Sequence, residues 1–226
     1  MAMGAQSPAE LPRKRYTTFA GPRRIAGGDL AKVALKAREA IRGGKSVLIF
    51  EDLTGEQVEV DLRGSPGEVL ARVQMPAGAR DAPAGRRPGQ GPGRPKLGVV
   101  GREVTLLPRH WGWLETQPGG ASVTLRKLVE AAKRANAGLD RARAAQEATY
   151  RFMRVMAGDF PGFEEATRIL FAKGKGRLKD FRSRVRGWPK DVRGHVLKLV
   201  RETIKMEGMI PARGDRSDDV QPKRTR

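Results

Sequence analysis

Residues 102–134, REVTLLPRHWGWLETQPGGASVTLRKLVEAAKR, decide the fold prediction for the second half of the chain. Residues 102–107 predict a strand, which the following proline ends because it has no backbone N–H to donate. Trp111 and Leu114, three positions apart, predict a short helix that the next Pro-Gly-Gly breaks. Ser122 then predicts the N-cap of a second helix. The apolar residues of that helix recur at helical spacing: Leu125, Leu128, Val129, Ala132 and Ala135.

This order of a strand, a short helix, a glycine turn and a serine-capped helix resembles a ribbon-helix-helix DNA-binding module. The resemblance implies that two chains pair their strands into an antiparallel ribbon that enters the major groove. It also implies that backbone N–H groups at the start of the second helix hold a DNA phosphate. The same segment is also compatible with an ordinary strand and helical hairpin that serve as a scaffold.

Applied to this chain, the resemblance places Val104 and Leu106 in the core and directs Glu103, Thr105 and Leu107 outward. A lone strand would leave backbone donors and acceptors unpaired, so we predict a homodimer that pairs this strand with its copy. The residues predicted to contact DNA in this segment are Arg102, Thr105, Arg109, Ala121, Ser122 and Val123.

The first part of the chain predicts a small α+β domain over residues 16–75. Asp29 predicts the N-cap of a helix that Gly43 and Gly44 end, and Ser65 predicts the cap of a short second helix. Alternating or apolar runs between turn residues predict the strands. We expect strands at 16–19, 23–26, 46–50 and 57–62, and the longer helix at 30–42.

The remaining segments complete an α+β chain with a mainly helical C-terminal region. Residues 76–98 are rich in proline, glycine and arginine and predict a flexible basic linker. Residues 99–207 predict the ribbon-helix-helix-like element followed by helices at about 139–156, after Asp159, and from Trp188-Pro189 onward. Large apolar residues are scarce in residues 1–15 and 208–226, which predicts disordered termini.

A five-residue segment of the predicted linker, Pro-Gly-Arg-Pro-Lys at residues 92–96, resembles the core of an AT-hook. Such segments lie in the narrow minor groove of A·T-rich DNA, whose negative potential attracts arginine. The resemblance implies DNA contacts by Arg94 and Lys96. A flexible spacer is the alternative interpretation of the same residues.

The charge balance favours polyanionic partners over small-molecule chemistry. The chain has 226 residues, with 45 Lys and Arg against 25 Asp and Glu, and a formal net charge of +20. Residues 137–206 alone contain 17 basic and 8 acidic side chains. Such an excess attracts nucleic acid or an anionic surface. The dense basic run over residues 173–186 is also typical of a solvated helix face, which is the alternative interpretation.

No set of residues predicts an enzyme. The absence of cysteine excludes disulfides, thiolate nucleophiles and cysteine-type zinc sites. Neither His110 nor His195 has an evident carboxylate partner with a nucleophile nearby, and Glu51 and Asp52 are expected to be solvated at a strand end. We therefore expect no catalytic residue, no metal and no cofactor, and the sequence identifies no small-molecule ligand. No apolar stretch approaches the ~20 residues of a membrane-spanning helix, so we expect no membrane segment and a cytoplasmic location.

Nearly the whole chain also resembles a bacterial family known only as a domain of unknown function. Four stretches carry this resemblance: GRPKLGVV at 93–100, VTLLPRHW at 104–111, QPGGAS at 117–122 and YRFM at 150–153. The resemblance implies a bacterial cytosolic protein and brings no activity with it.

Together these observations predict a DNA-associated protein. More specifically, they predict a transcriptional regulator that binds as a dimer. The alternative is a non-enzymatic protein–protein interaction module in which the charge plays no part.

Overall fold

The computed structural model describes residues 14–75, 100–174 and 176–209. Its elements confirm the α+β class with mostly helical content. The predicted linker and nearly all of the two predicted disordered termini lie outside the described residues. The strands are β1 (Tyr16–Ala20), β2 (Arg23–Gly28) and β3 (Val47–Glu51). The helices are α1 (Leu30–Arg42), α2 (Pro66–Gln74), α3 (Pro108–Glu115), α4 (Gly120–Ala157), α5 (Phe163–Phe171), α6 (Arg177–Arg184) and α7 (Lys190–Gly208).

The chain divides into two compact units, each built from separate stretches of sequence. Among the described residues, the first unit contains 14–21, 25–49, 58–75 and 100–137. The second contains 22–24, 50–57, 138–174 and 176–209.

The core of the first unit lies between α1 and the antiparallel sheet, whose strand order is β2-β1-β3. Tyr16, Val33, Ala37 and Ile49 form its buried centre. The predicted caps are confirmed: the Asp29 carboxylate accepts from the Lys32 N–H at 2.8 Å, and α2 begins with a reciprocal capping box between Ser65 and Glu68. Both caps satisfy N–H groups that a helix start leaves without partners.

The predicted strand at 57–62 is wrong beyond its first residue. Gln57 forms a single antiparallel bridge with Phe50. The apolar residues that follow do pack against the core, as the alternation predicts. However, the carbonyls of Asp61 and Arg63 accept hydrogen bonds from the Arg72 guanidinium of α2 instead of from a strand. A side chain therefore takes the place of a ladder partner.

Residues 102–107, where a strand is predicted, do not form one within the single chain. This segment has no regular secondary structure, and Val104, expected in the core, is 56% exposed, while Leu106 is half-buried. The helix that follows is confirmed as α3. Pairing of this segment with a second chain, on which both the ribbon-helix-helix resemblance and the strand-paired dimer depend, stays a prediction.

Residues 120–157 form one helix of 38 residues where the sequence predicts two. The helix begins at Gly120, so Ser122 lies in its first turn and is not the N-cap. Gly138 does not interrupt it, because a single internal glycine costs only about 1 kcal/mol and neighbouring turns keep their hydrogen bonds.

The second unit packs the end of α4 with α5, α6 and α7. Phe152, Met153, Leu170, Phe181 and Val196 are among its fully buried side chains. The predicted cap at Asp159 is wrong, because α5 begins only after Gly162, whose φ of +80° is left-handed and favours glycine. The predicted start of the last helix after Pro189 is confirmed. No helix among the described residues is long and apolar enough to span a membrane.

Candidate nucleic-acid interface

An open basic groove lies between α6 and α7 in the second unit. Its volume is about 530 Å³. One apolar residue, Leu197, lies among its lining residues, and the other lining side chains are cations and one hydroxyl. These are Lys179, Arg182, Ser183, Arg186 and Arg193. The groove therefore combines four positive charges with a hydroxyl donor.

The spacing of the sequence explains why one side of the groove is basic. Lys179, Arg182 and Ser183 recur at i, i+3 and i+4 along α6, and Arg186 continues the same face in the turn that follows. All four are exposed, because Phe181 and Val185 on the other face are fully buried and fix the orientation of the helix. Helix α7 supplies the second wall.

Arg193 of α7 is held in place by the turn that it faces. Its guanidinium donates to the backbone carbonyl of Arg186. The nearby Asp191 carboxylate accepts a hydrogen bond from the backbone N–H of Arg24 at 3.0 Å. In the part of the chain that the structure describes, no carboxylate forms an ion pair with any of the four cations. The four cations of the groove therefore have no ion-pair partner among the described residues.

Arg177, which belongs to the same basic run in the sequence, points away from solvent. Its guanidinium forms a bidentate ion pair with Glu207, with Nη2 at 2.5 Å from Oε2 and Nη1 at 3.2 Å from Oε1. Nη1 also donates to the carbonyl of Ala172 at 2.6 Å. The side chain is only 5% exposed. Arg177 therefore joins α6 to the end of α7 and leaves the groove residues to face outward.

A comparison with protein families identifies the chain. Residues 15–200 match the model described as "Uncharacterized protein conserved in bacteria (DUF2239)". The chain belongs to this family. The resemblance to a bacterial family of unknown function is thereby confirmed, and the DUF2239 match covers every residue that lines the groove. Comparisons with curated proteins and with solved structures find no match.

In this DUF2239 protein, the DNA contacts predicted from the sequence do not form one described site. Arg102, Thr105 and Arg109 are exposed in or next to the irregular segment before α3. Ser122 is exposed and its neighbours on either side are half-buried in the first turn of α4. Arg94 and Lys96 lie outside the described residues. DNA contact by these residues stays a prediction.

The sequence predicts only part of the groove. The periodic spacing of Lys179, Arg182 and Arg186 is visible there, but a solvated helix face shows the same spacing. Arg193 is absent from that run, and only the packing of α6 on α7 brings it opposite the other three. The burial of Arg177 likewise depends on a partner 30 residues away.

A second polar cluster in this unit corrects the expectation that Asp52 and Glu51 are merely solvated. Glu51 is 7% exposed, and the Asp52 side chain is 15% exposed and lies 3.7 Å from the Lys198 ammonium. His195 is 5% exposed, and its ring centroid lies 4.6 Å from that of Phe152.

Burial lowers the pKa of His195 to about 4, and the charges of Lys198 and Arg24 act in the same direction. The nearby Asp52 carboxylate opposes that shift without cancelling it. The imidazole is therefore neutral at neutral pH, enclosed by the fold and suited to packing. No group of three metal-ligating side chains occurs among the described residues.

Proposed function

We propose that the protein is a DNA-associated protein and that the α6–α7 groove contacts the phosphate backbone. One observation carries the proposal: the groove presents four cations from α6, the turn after it and α7, with no ion-pair partner among the described residues. Three of the four are arginines, whose planar guanidinium can donate two hydrogen bonds to one phosphate. The Ser183 hydroxyl adds a neutral donor of the kind that commonly contacts phosphate oxygens.

The chemistry of the groove favours a polymer of phosphates over a small ligand. The groove is open and shallow, whereas small-molecule sites are usually concave and mostly apolar. The surplus of basic residues over 137–206 extends the positive potential beyond the lining residues. Contacts to phosphates position a protein on the duplex without reading its sequence. The groove therefore supports salt-dependent binding that varies little with sequence.

A salt titration of the whole protein on a labelled DNA duplex tests this proposal. The logarithm of the affinity should fall linearly with the logarithm of the salt concentration, with a slope of about −0.9 per phosphate contacted. The triple variant Lys179→Gln, Arg182→Gln and Arg186→Gln should reduce that slope by about 2.7 if each side chain contacts one phosphate. All three side chains are exposed, so the variant should fold normally.

The matched control removes the same charge elsewhere in the second unit. Arg141, Arg154 and Arg168 are exposed, do not line the groove and have no ion-pair partner among the described residues. Changing these three to Gln should lower the slope less than the groove variant does. An equal reduction of the slope in both triple variants would show that diffuse charge, and not the groove, binds DNA. If the unmodified protein shows no affinity even at low salt, DNA association is wrong and a protein–protein interaction module replaces it.

The sequence-derived contacts have their own test in the same assay. The double variant Arg94→Ala, Lys96→Ala should flatten the slope by the amount expected for about two phosphate contacts. It should also reduce any preference for an A·T-rich over a G·C-rich duplex. A preference that survives this change would rule out the minor-groove contact and leave the groove proposal intact.

A further inference from the structure

One segment of the first unit has the side-chain pattern of a strand but lacks most of the backbone partners of one. Residues 58–62 alternate between half-buried and exposed side chains, and the half-buried ones pack against the core. The Val58 N–H donates to a carbonyl of β3 at 2.8 Å. Beyond it, the N–H and C=O groups of Glu59, Val60 and Leu62 have no hydrogen-bond partner among the described residues. Unpaired backbone of this kind is a template for a strand of another chain.

Two arginines hold the end of this segment in place. Arg38 of α1 donates through Nε to the carbonyl of Gly64 at 2.8 Å. Arg72 of α2 donates to the carbonyls of Asp61 and Arg63. The unpaired backbone is therefore fixed before a partner binds, which reduces the ordering entropy that binding costs.

An open cleft lies between this segment and the end of α1. Its volume is about 640 Å³. Its apolar lining comes from Ile41 of α1 and from Val60 and Leu62 of the segment. Ile41 is 46% exposed, although it belongs to a helix that is packed on the sheet. The cleft therefore offers apolar surface to the side chains of a chain that pairs with the segment.

The charges of the cleft favour an acidic partner. Three arginines line it, Arg38, Arg42 and Arg63, against the single carboxylate of Asp61. That carboxylate is already paired with Arg63 at 2.9 Å, whereas Arg42 is exposed and has no ion-pair partner among the described residues. The surplus is local, because residues 16–75 contain 9 basic and 8 acidic side chains.

An extended peptide satisfies the unpaired backbone, the apolar lining and the arginines together. When a peptide adds to a sheet edge, its main-chain hydrogen bonds give affinity and its side chains give specificity. A nucleic acid would neutralise the arginines but has no row of amide donors and acceptors for the segment. We propose that the first unit binds an extended peptide with acidic and apolar side chains, as an added strand along residues 59–62. This binding is independent of the α6–α7 groove, which belongs to the second unit.

Fluorescence anisotropy of a labelled octapeptide that alternates aspartate with leucine, titrated with the whole protein, tests the proposal. Binding should saturate. Arg42→Glu places a like charge at the cleft and should weaken the binding at least tenfold. Lys32→Glu makes the same change of charge at an exposed position near the other end of α1 and should leave the affinity unchanged. Equal weakening in the two variants would assign the binding to diffuse charge and overturn the proposal.

A modified peptide tests whether the backbone is recognised. Methylation of every second backbone nitrogen keeps the side chains and removes hydrogen-bond donors, so it should weaken the binding at least tenfold. An unchanged affinity would overturn strand addition.

The groove variant Lys179→Gln, Arg182→Gln, Arg186→Gln provides the control for the other basic site. It should bind the peptide as tightly as the unmodified protein does. Loss of binding in this variant would assign the peptide to the α6–α7 groove and overturn the proposal. Two further results would also overturn it: no saturable binding by the unmodified protein, or dimerisation of the peptide-free protein that Arg42→Glu abolishes.

Discussion

Both halves of α4 have apolar residues at helical spacing, but their surroundings are opposite. In the second half, the turn at residues 50–57 and helices α5 and α7 cover these residues. Phe152 packs edge-on against Phe50 at 4.9 Å, Gln146 donates to the Leu170 carbonyl at 2.8 Å, and the Thr149 hydroxyl lies 3.4 Å from that of Thr203. In the first half, residues 126–135 are exposed on every side.

This difference shows that periodicity predicts a helix but does not predict its burial. A stripe of apolar residues lowers the free energy only when a partner removes it from water. The second half finds its partners within the chain, whereas the first half presents its apolar residues to solvent. Four predictions use variants to test the stability that the second half and its neighbours gain from that packing.

The largest effect is expected at the turn that closes over the second half of α4. A Cβ atom at Gly55 would lie 2.0 Å from the Ala148 carbonyl oxygen, and Gly55 has a φ of +66°. Gly55→Ala should therefore lower the free energy of unfolding by about 4 kcal/mol, from overpacking and backbone strain together. Urea denaturation followed by circular dichroism measures it. Gly21→Ala is the control: its φ is +54° but no atom lies within 4 Å of the new Cβ, so about 1 kcal/mol is expected.

A direct comparison of the two halves should give the next largest effect. Met153 is fully buried and Leu128 is 48% exposed. Met153→Ala should cost about 3 kcal/mol of unfolding free energy, whereas Leu128→Ala should cost less than about 0.5 kcal/mol in dilute monomeric protein. Similar losses for the two variants would mean that the first half is covered in solution even at low concentration.

Breaking the buried ion pair beside the groove should cost a comparable amount. Arg177→Met leaves the Glu207 carboxylate without its partner and should reduce the unfolding free energy by about 3 kcal/mol. Arg184→Met, at an exposed position of the same helix, should change it by less than about 0.5 kcal/mol. If both variants change the unfolding free energy by an equally small amount, Arg177 does not hold α6 against α7.

The smallest expected effect is a pH dependence of the stability, which comes from His195 beside Phe152. The folded protein lowers the pKa of His195 to about 4 from 6.5. The unfolded chain therefore binds the proton first as the pH falls, and stability is lost between these two values. His195 alone should remove about 2 kcal/mol between pH 8 and pH 5. Asp52, Lys198 and Arg24 are the charged groups that act on the imidazole.

Denaturation of the protein and of His195→Gln at several pH values isolates this contribution. The variant starts from a lower stability because it loses packing against Phe152, so only the slope with pH is compared. A flatter slope in His195→Gln is the expected result. An unchanged slope would mean that other groups cause the acid sensitivity.

Local interactions explain which elements could be predicted from the sequence. Asp29 and Ser65 cap their helices with their own neighbours, and the strands around the first turn are defined by Gly21 and the apolar residues on either side. Residues 102–107 are different, because a strand exists only if another segment accepts its hydrogen bonds. No described segment of the single chain does so there, and the predicted pairing with a second copy stays a prediction.

For the candidate groove, too, the sequence predicts some features and the tertiary structure decides the others. The sequence by itself determined the α+β class, the helical face that carries Lys179, Arg182 and Arg186, and the large positive charge, because these depend on residue type and on spacing along one element. Only the tertiary structure decided that Arg177 turns inward to Glu207, that Arg193 joins the other cations of the groove, and that one half of α4 is buried while the other is not. Those outcomes depend on contacts between residues far apart in sequence, which local periodicity does not encode.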